Sequence, residues 1–330
     1  MFSYLLVCSA CGQTAEEYHE LGNSKAKLQD HNGAIAAYTK AIELNSQDEV
    51  SYYNRGVSKA YLQDYAGAIA DLNKVIELNP EYAEAYNNRG ASKEYLQDFS
   101  SAIIDYTKAI ELNPQNIEFY INRGVAKSKL QNYDGAIADF TKAIELNPQD
   151  AKAFNNRGGS KAELKDYLGA MADYTNAIEL NPQDAMAFNN RGNTKYFLQD
   201  YSGAIADFNK AIELNPQDAM AFNNRGNSKN ELQDYHGALA DFTKAIELNP
   251  LYAEVYKNSG ILKTKLQDYR GSIADFNKCI ELNPQFTDAY FNRGSSNYLL
   301  GNKNEACLDW SKAGELGDGD ANDFIRKYCN

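Results

Sequence analysis

The chain has 330 residues, of which 43% are hydrophobic and 24% charged, and 45 Asp and Glu against 33 Lys and Arg give it a net charge of −12. No apolar run reaches the roughly 18 residues that a membrane-spanning helix needs, and 12% aromatic residues are too many for a disordered chain. The negative field would repel phosphate backbones, which argues against a nucleic-acid partner.

Residues 1–14 precede the patterned part of the chain and begin with its most apolar stretch, MFSYLLVCSA. This stretch is too short to span a membrane but long enough for the apolar part of a signal segment. Cys11 stands in a context that resembles a bacterial lipoprotein processing site, and cleavage before Gln13 is an alternative. We expect export to the periplasm or a lipid anchor on Cys11. Because no Lys or Arg precedes the stretch, a cytoplasmic protein with an apolar start is the other interpretation.

The body of the chain consists of one motif that is repeated nine times. Ile-Glu-Leu-Asn recurs every 34 residues from Ile42 to Ile280, and with Ala15 as position 1 the repeats run without insertion to Asp320. Their bounds are 15–48, 49–82, 83–116, 117–150, 151–184, 185–218, 219–252, 253–286 and 287–320. A fixed period of this length is typical of an array in which each repeat stacks on its neighbours.

Each repeat predicts two helices. In the third repeat, residues 84–97 follow a helical pattern, Asp98 and Phe99 are predicted to form a turn, and residues 101–112 carry an apolar stripe. That stripe consists of Ala102, Tyr106, Ala109 and Ile110. Asn113 and Pro114 end the second helix, since Pro cannot continue it. The predicted N-caps of later first helices are Asp150, Asp184 and Asp218.

The period, the two-helix layout and the signature residues resemble the tetratricopeptide repeat (TPR) family. In the sixth repeat the signature residues are Phe188, Gly192, Ala204, Phe208, Ala211 and Pro216. The resemblance covers residues 15–320 and implies an all-α solenoid of nine helix pairs wound into a right-handed superhelix. It also implies a concave groove lined by the first helices, and the pattern continues as a capping helix over residues 321–330. Fold alone says little about function.

Positions 7 and 23 of the repeat change together. Position 23 is Asp in eight repeats and position 7 is Arg in seven, whereas the first repeat has Leu21 and Ala37 instead. This predicts an Arg–Asp pair between the two helices of a repeat, with Ser259 opposite Asp275 as the exception. A row of Arg can also bind anions, but we favour structural pairing because the Arg stem packs well. The Arg row is Arg55, Arg89, Arg123, Arg157, Arg191, Arg225 and Arg293.

Asparagine recurs on the first helices, where the family resemblance implies that it faces the groove. Asn is a mediocre helix former, and its amide can bond both the N–H and the C=O of a peptide backbone. The rows therefore predict a peptide-binding groove; solvated consensus residues copied by duplication are the alternative. Position 6 holds Asn54, Asn88, Asn122, Asn156, Asn190, Asn224, Asn258 and Asn292, position 5 adds Asn87, Asn155, Asn189 and Asn223, and position 9 adds Asn193 and Asn227.

Repeats five to seven are the predicted centre of such a groove. Met186 and Met220 would supply adaptable apolar contacts there, and Tyr196 and Phe197 would add aromatic ones.

The cysteines lie near the two ends of the chain. Cys8 and Cys11 form a C-x-x-C without a second pair, which argues against a zinc or redox site. Cys307 and Cys329 are equally far from Asp318 in the predicted terminal turn, so they lie at the same height on adjacent antiparallel helices. They are predicted to form a disulfide in an oxidising compartment. Two small buried thiols are the alternative, because helix rotation is not fixed by the spacing. Cys279 is predicted to be buried and inert.

The sequence predicts a non-enzymatic scaffold that binds an extended peptide or protein segment. Nine repeats leave a ten-residue tail, and no nucleophile elbow, P-loop or H-E-x-x-H occurs. We therefore expect no cofactor, no metal and no small-molecule substrate. The alternatives are a structural envelope spacer with an empty groove and a docking subunit of an enzyme complex.

Overall fold

A computed structural model describes residues 13–329. Cys11, Cys8 and the rest of the predicted targeting segment up to residue 12 lie outside the described residues. Within residues 13–329 the secondary structure consists of nineteen α-helices and no strand, as the repeat pattern predicts. The chain divides after Leu164 into two compact halves, so that the fifth repeat contributes one helix to each.

The N-terminal half is a run of consecutive antiparallel helices, each packed on the next. Its helices are α1 (Ala15–Lys27), α2 (His31–Leu44), α3 (Glu49–Tyr61), α4 (Tyr65–Leu78), α5 (Ala83–Tyr95), α6 (Phe99–Leu112), α7 (Ile117–Lys129), α8 (Tyr133–Leu146) and α9 (Ala151–Glu163).

The C-terminal half repeats this arrangement and ends in an additional helix. Its helices are α10 (Tyr167–Leu180), α11 (Ala185–Phe197), α12 (Tyr201–Leu214), α13 (Ala219–Glu231), α14 (Tyr235–Leu248), α15 (Ala253–Lys265), α16 (Tyr269–Leu282), α17 (Thr287–Leu300), α18 (Lys303–Glu315) and α19 (Ala321–Tyr328).

Capping residues define the helix ends. Asp184 Oδ1 accepts from Met186 N at 3.0 Å and Asp218 Oδ1 from Met220 N at 2.9 Å, so these predicted N-caps are confirmed. Asp150 caps α9 by accepting from Ala153 N at 3.0 Å, and Asn113 is the C-cap of α6. The prediction that Phe99 lies in a turn is wrong, because Asp98 caps α6 and Phe99 is its first residue.

The turn inside each of the first eight repeats contains a non-glycine residue in the left-handed region. Position 15 has φ between 60° and 64° in these repeats, and the ninth repeat places Gly301 there with φ 96°. In the sixth repeat the turn is closed by Asp200 N donating to Lys195 O at 2.9 Å and Gln199 N donating to Tyr196 O at 2.9 Å. These bonds satisfy carbonyls at the end of the first helix and so offset the cost of a left-handed Gln. The left-handed residues are Gln29, Gln63, Gln97, Gln131, Lys165, Gln199, Gln233 and Gln267.

Small residues allow the two helices of a repeat to approach closely. Position 8 is glycine and faces a large side chain at position 24, as Gly226 faces the fully buried Phe242. A Cβ at Gly226 would lie 2.7 Å from Phe242 Cε1. The apolar stripe predicted for the third repeat is confirmed, since Ala102, Tyr106 and Ala109 are at most 1% exposed.

The chain ends with α19 packed on α18. The Cys307 and Cys329 sulfurs are joined as a disulfide between these elements, with their Cα atoms 5.8 Å apart. Trp310 of α18 lies 5.3 Å from Phe324 and 5.9 Å from Tyr328, measured between ring centroids. Cys279 is fully buried, and burial raises the pKa of its thiol to about 11. It is therefore an unreactive thiol at neutral pH.

Candidate functional site on the first helices

The Arg row forms ion pairs inside the repeats. Arg225 Nε and Nη2 bind both carboxylate oxygens of Asp241 at 2.9 and 2.5 Å, and Lys229 Nζ lies 2.7 Å from Asp241 Oδ2. Asp241 is 3% exposed, and two cations share its carboxylate. This confirms the predicted pairing of positions 7 and 23. The other Arg–Asp pairs with the same geometry are Arg55–Asp71, Arg89–Asp105, Arg123–Asp139, Arg191–Asp207 and Arg293–Asp309.

Each of these guanidinium groups also contacts the preceding repeat. Arg225 Nη1 donates to Asn209 Oδ1 at 2.7 Å, and its guanidinium carbon lies 5.3 Å from the centroid of the Phe222 ring. The Arg side chains are thus surrounded by a carboxylate, a polar group of the neighbouring repeat and an aromatic face. These contacts favour a structural role for the row over anion binding.

The eighth repeat breaks this network. Ser259 takes the place of Arg, and its Oγ donates to Asp275 Oδ2 at 2.7 Å, while Lys263 Nζ lies 2.6 Å from the same oxygen. Serine satisfies the carboxylate but cannot reach the seventh repeat as Arg does elsewhere.

In the C-terminal half, asparagines of three consecutive first helices form a chain of hydrogen bonds. Asn258 Nδ2 donates to Asn223 Oδ1 at 3.0 Å, and Asn223 Nδ2 contacts Asn224 Oδ1 at 3.4 Å. Asn224 Nδ2 then donates to Asn189 Oδ1 at 3.3 Å, and Asn189 Nδ2 lies 3.8 Å from Met220 Sδ. We refer to these four asparagines as the asparagine chain.

The N-terminal half contains a similar series. Asn122 Nδ2 donates to Asn87 Oδ1 at 3.0 Å, Asn87 Nδ2 contacts Asn88 Oδ1 at 3.5 Å, and Asn88 Nδ2 donates to the Tyr53 hydroxyl at 2.7 Å. Burial raises the pKa of Tyr53 to about 12, so its hydroxyl stays protonated. Asn54 Nδ2 bonds Asn23 Oδ1 at 3.2 Å.

The two asparagine rows differ in accessibility. The position-5 residues Asn87, Asn189 and Asn223 are only 2–6% exposed. Their carbonyl oxygens accept hydrogen bonds from position-6 amides of the following repeat. All eight position-6 residues are partly exposed, and so are Asn155 and Asn227, while Asn193 is exposed. Asn292 differs from the chain members, because its Nδ2 donates to Asp288 O in its own helix at 2.8 Å. The position-6 and position-9 amides, together with Asn155, are therefore accessible from solvent, whereas Asn87, Asn189 and Asn223 are not.

Exposed apolar side chains lie on α11 and α13, two of the helices that carry the asparagine chain. Met186 and Met220, both at position 2, are 63% and 50% exposed, and Phe197 is 53% exposed. Tyr196 is partly buried and packs edge-on against Phe197 and Tyr201. The face therefore combines ordered amides with accessible apolar groups.

A His, Ser and Asp meet at the junction of the first two repeats, which the sequence did not indicate. His19 Nδ1 lies 2.7 Å from Ser51 Oγ, and Ser51 Oγ donates to Asp48 Oδ2 at 2.5 Å. Ser51 is fully buried and Asp48 is the N-cap of α3. A catalytic serine needs an accessible hydroxyl bonded to a histidine that the carboxylate orients, and here the serine lies between the other two. The cluster stabilises the helix junction.

None of the helices in residues 13–329 is long and apolar enough to cross a membrane. In the same part of the chain, His, Cys, Asp and Glu do not come together in groups of three that could hold a metal ion.

The chain belongs to the tetratricopeptide repeat family. Tetratricopeptide repeat models match residues 15–48, 83–116, 117–150, 151–184, 185–218, 219–252 and 253–286, and a TPR repeat model matches residues 58–94. Proteins of this family are typically non-catalytic scaffolds for protein–protein interaction. No curated protein matches the sequence.

Solved structures share the fold. A tetratricopeptide repeat protein from Parabacteroides merdae ATCC 43184 is 22% identical, with a TM-score of 0.60 over 75% of this chain and 99% of that one. Cut9–Hcn1 of the APC/C is 14% identical, with a TM-score of 0.63 over 96% of this chain and 76% of that one. YrrB, described as a TPR protein with an unusual peptide-binding site, is 26% identical, with a TM-score of 0.47 over 57% of this chain and 97% of that one.

Proposed function

We propose that this protein is a non-catalytic scaffold that binds an extended segment of a partner protein along the face of its first helices. The observation that carries the proposal is the row of partly exposed position-6 amides, of which Asn224 and Asn258 are held in place by hydrogen bonds to the preceding repeat. An amide carries two N–H groups and a carbonyl, so one bond to a neighbour leaves capacity for a peptide backbone. Amides that are already ordered lose little entropy on binding.

The surroundings of the amides fit a peptide better than a small molecule. The uncovered Met186 and Met220 side chains supply apolar contacts without strict shape requirements. The net charge of −12 disfavours nucleic acid as the partner. The Ser–His–Asp cluster at the first junction has no accessible nucleophile, which supports a binding role.

Removing position-6 amides in the C-terminal half should weaken peptide binding. We expect the triple variant Asn190→Ala, Asn224→Ala and Asn258→Ala to lose about 1–3 kcal/mol of binding free energy, because each lost hydrogen bond contributes modestly in water. The measurement is fluorescence anisotropy with peptides first selected on the native protein from a proline-free library. The variant is assayed well below its unfolding temperature, since Asn189 and Asn223 lose their hydrogen-bond donors.

A matched control removes three exposed asparagines outside the first helices, Asn176→Ala, Asn304→Ala and Asn322→Ala. This control should bind as the native protein does. Unchanged affinity in the position-6 triple variant would mean that these asparagines only stabilise the packing of neighbouring repeats and do not bind peptide. A library from which the native protein retains no peptide would favour the spacer function.

We further propose that the protein is exported to an oxidising compartment, as a periplasmic or lipid-anchored protein. The disulfide between Cys307 and Cys329 supports this, because disulfides persist in such compartments and are rare in the cytosol.

Thiol mapping tests the disulfide. In unreduced, periplasmically expressed protein we expect alkylation to leave Cys307 and Cys329 unlabelled, and to reach the buried Cys279 only after unfolding. Reduction should destabilise the terminal helix by about 3 kcal/mol, the chain-entropy value for a loop of this size. The Cys307→Ser variant serves as the control, because Cys329 then has no partner and should be labelled by the alkylating reagent. Labelling of both cysteines in the exported native protein would contradict the bridge.

A further inference from the structure

Three pockets follow one another along the face of the first helices in the N-terminal half. The first has a volume of about 300 Å³, the second about 450 Å³ and the third about 460 Å³. The Tyr61 side chain lines both the first and the second pocket, and Tyr95 lines both the second and the third. Consecutive pockets therefore share one aromatic ring from each repeat, together with one small apolar residue, Val57 or Ala91. Each pocket also contains one position-6 amide, from Asn54, Asn88 and Asn122 in turn.

The two dividing rings are exposed, and each is stacked on a second ring. Tyr61 and Tyr95 are 70% and 67% exposed. Each is stacked on a ring of the preceding repeat, Tyr61 on His31 at 4.6 Å and Tyr95 on Tyr65 at 4.7 Å between centroids, with interplanar angles of 10° and 4°. One face of each ring is thus covered by its stacking partner. The remaining surface is fixed in place for a ligand, with little entropy left to lose.

Exposed aromatic rings at this position are not a general property of the repeat. Position 13 is Lys129, Glu163, Glu231 and Lys265 in repeats four, five, seven and eight. A stacked aromatic ring occurs there in repeats two and three and again at Phe197, which stacks on Tyr167. Exposed apolar surface contributed by neighbouring repeats is typical of an interaction site.

The spacing of the pockets selects the conformation of that partner. Because Asn122 and Asn87 of adjacent first helices touch at 3.0 Å, the helices are packed, and packed helices lie about 8–10 Å apart. A polyproline II segment advances about 9 Å per turn of three residues, and every third side chain points the same way. A β-strand repeats the same face about every 7 Å, so it does not keep register with pockets at this spacing.

The charges that line the pockets indicate which side chains the partner segment carries. The second pocket is lined by no charged residue, and the first contains Lys27 and His31 without a carboxylate. The third contains Glu94 and Glu118 together with Lys129. Glu94 Oε2 accepts from the Tyr106 hydroxyl at 2.9 Å, and burial raises the pKa of Glu94. A cation in the third pocket would offset the cost of burying this carboxylate.

We propose that the face of repeats one to four binds a proline-rich segment in the polyproline II conformation, with prolines against Tyr61 and Tyr95 and a basic residue in the third pocket. Prolines suit rigid aromatic walls, because the ring packs flat and the preformed helix loses little entropy. This inference rests on the proposed function in using the same face of the first helices, but it depends on the aromatic rings and charges of repeats one to four and not on Asn190, Asn224 and Asn258.

The experiment compares labelled synthetic peptides on the full chain by fluorescence anisotropy. One peptide has proline at every third residue and an arginine at the next position in register. It is made in two versions, with the arginine at either end, because the pocket spacing does not define the direction of the bound chain. A second has the same composition with proline at every second residue. We expect the first peptide, in the orientation that binds more tightly, to bind about tenfold more tightly than the second. The second peptide cannot place prolines against both Tyr61 and Tyr95. Glutamate in place of the arginine should weaken binding.

Variants of the dividing rings test the site itself. Tyr61→Ala with Tyr95→Ala should weaken binding of the first peptide about tenfold, whereas Tyr61→Phe with Tyr95→Phe keeps both rings and should bind nearly as the native protein does. Ile104→Ala removes an exposed apolar side chain of the second helix α6, outside the three pockets, and should have no effect. Equal affinity for the two proline spacings, or native affinity in the double alanine variant, would overturn the inference.

The outcomes separate this inference from the proposed function. Proline-free peptides that bind and respond to the position-6 asparagine variants, together with no preference for the proline repeat, would overturn the inference alone. No binding of any peptide would overturn both.

Discussion

Replacing Asp241 by alanine is expected to destabilise the C-terminal half by about 3–5 kcal/mol, because it leaves two buried or partly buried cations without their shared carboxylate. Arg225 and Lys229 both bind that carboxylate, and their side chains are only 17% and 20% exposed. Arg225 keeps its bond to Asn209, but this neutral oxygen cannot balance its charge. The measurement is urea unfolding followed by circular dichroism.

The first repeat supplies the control for this experiment. It has Leu21 and Ala37 in place of the Arg–Asp pair, which shows that an apolar pair is compatible with the fold. The double variant Arg225→Leu with Asp241→Ala should therefore be more stable than Asp241→Ala alone, since it removes the unpaired guanidinium. A double variant less stable than the single one would mean that the Arg stem and its stacking on Phe222 contribute more than the ion pair.

Adding one methyl group at Gly226 is expected to destabilise the protein although alanine is a better helix former than glycine. The new Cβ would lie 2.7 and 2.9 Å from two carbons of the Phe242 ring and 3.3 Å from Ala238 O. Phe242 is 1% exposed and has no room to move. Overpacking of this kind costs about 1–3 kcal/mol and should exceed the helix-propensity gain of about 1 kcal/mol. Thermal unfolding of Gly226→Ala measures the net effect.

Gly56 occupies the same position in the second repeat and should respond with the opposite sign. It faces Leu72 instead of an aromatic ring. A Cβ added at Gly56 would lie 3.3 Å from both Asp71 Cβ and Leu72 Cγ, the two nearest atoms. These atoms need to yield by only a few tenths of an ångström, so the gain in helix propensity should dominate. A similar loss of stability in Gly56→Ala and Gly226→Ala would contradict the assignment of the effect to the aromatic ring.

The helices and their pairing were predictable because they depend on short-range chemistry repeated nine times. Asp184 and Asp218 cap helices through bonds to residues two and three positions away, and Pro216 ends the preceding helix segment by lacking an N–H. The Arg–Asp pairs were predictable for another reason. The first repeat lacks both partners at once, and this joint change alone indicates that positions 7 and 23 are neighbours.

The asparagine rows could be found in the sequence, but their roles could not. Asn223 and Asn224 are adjacent in the chain and identical in chemistry, yet Asn223 is 2% exposed and Asn224 is partly exposed. A helix turns by about 100° per residue, so neighbouring residues face different surroundings. Which of the two is covered depends on how closely the next first helix packs.

By itself, the sequence determined the repeat period, the order of the helices, most of their caps and the ion pair within each repeat. Tertiary structure decided which asparagines bond across repeats, which rings stack, and where pockets form. The reason is that Asn122 and Asn87, or Tyr95 and Tyr65, are about one repeat apart in the chain. Their contact depends on the rotation and spacing of stacked helices, which the pattern within one repeat does not specify. The left-handed conformation of the turn glutamines was also not predictable from the sequence. The backbone hydrogen bonds that close the turn stabilise this conformation, which local preference disfavours for glutamine.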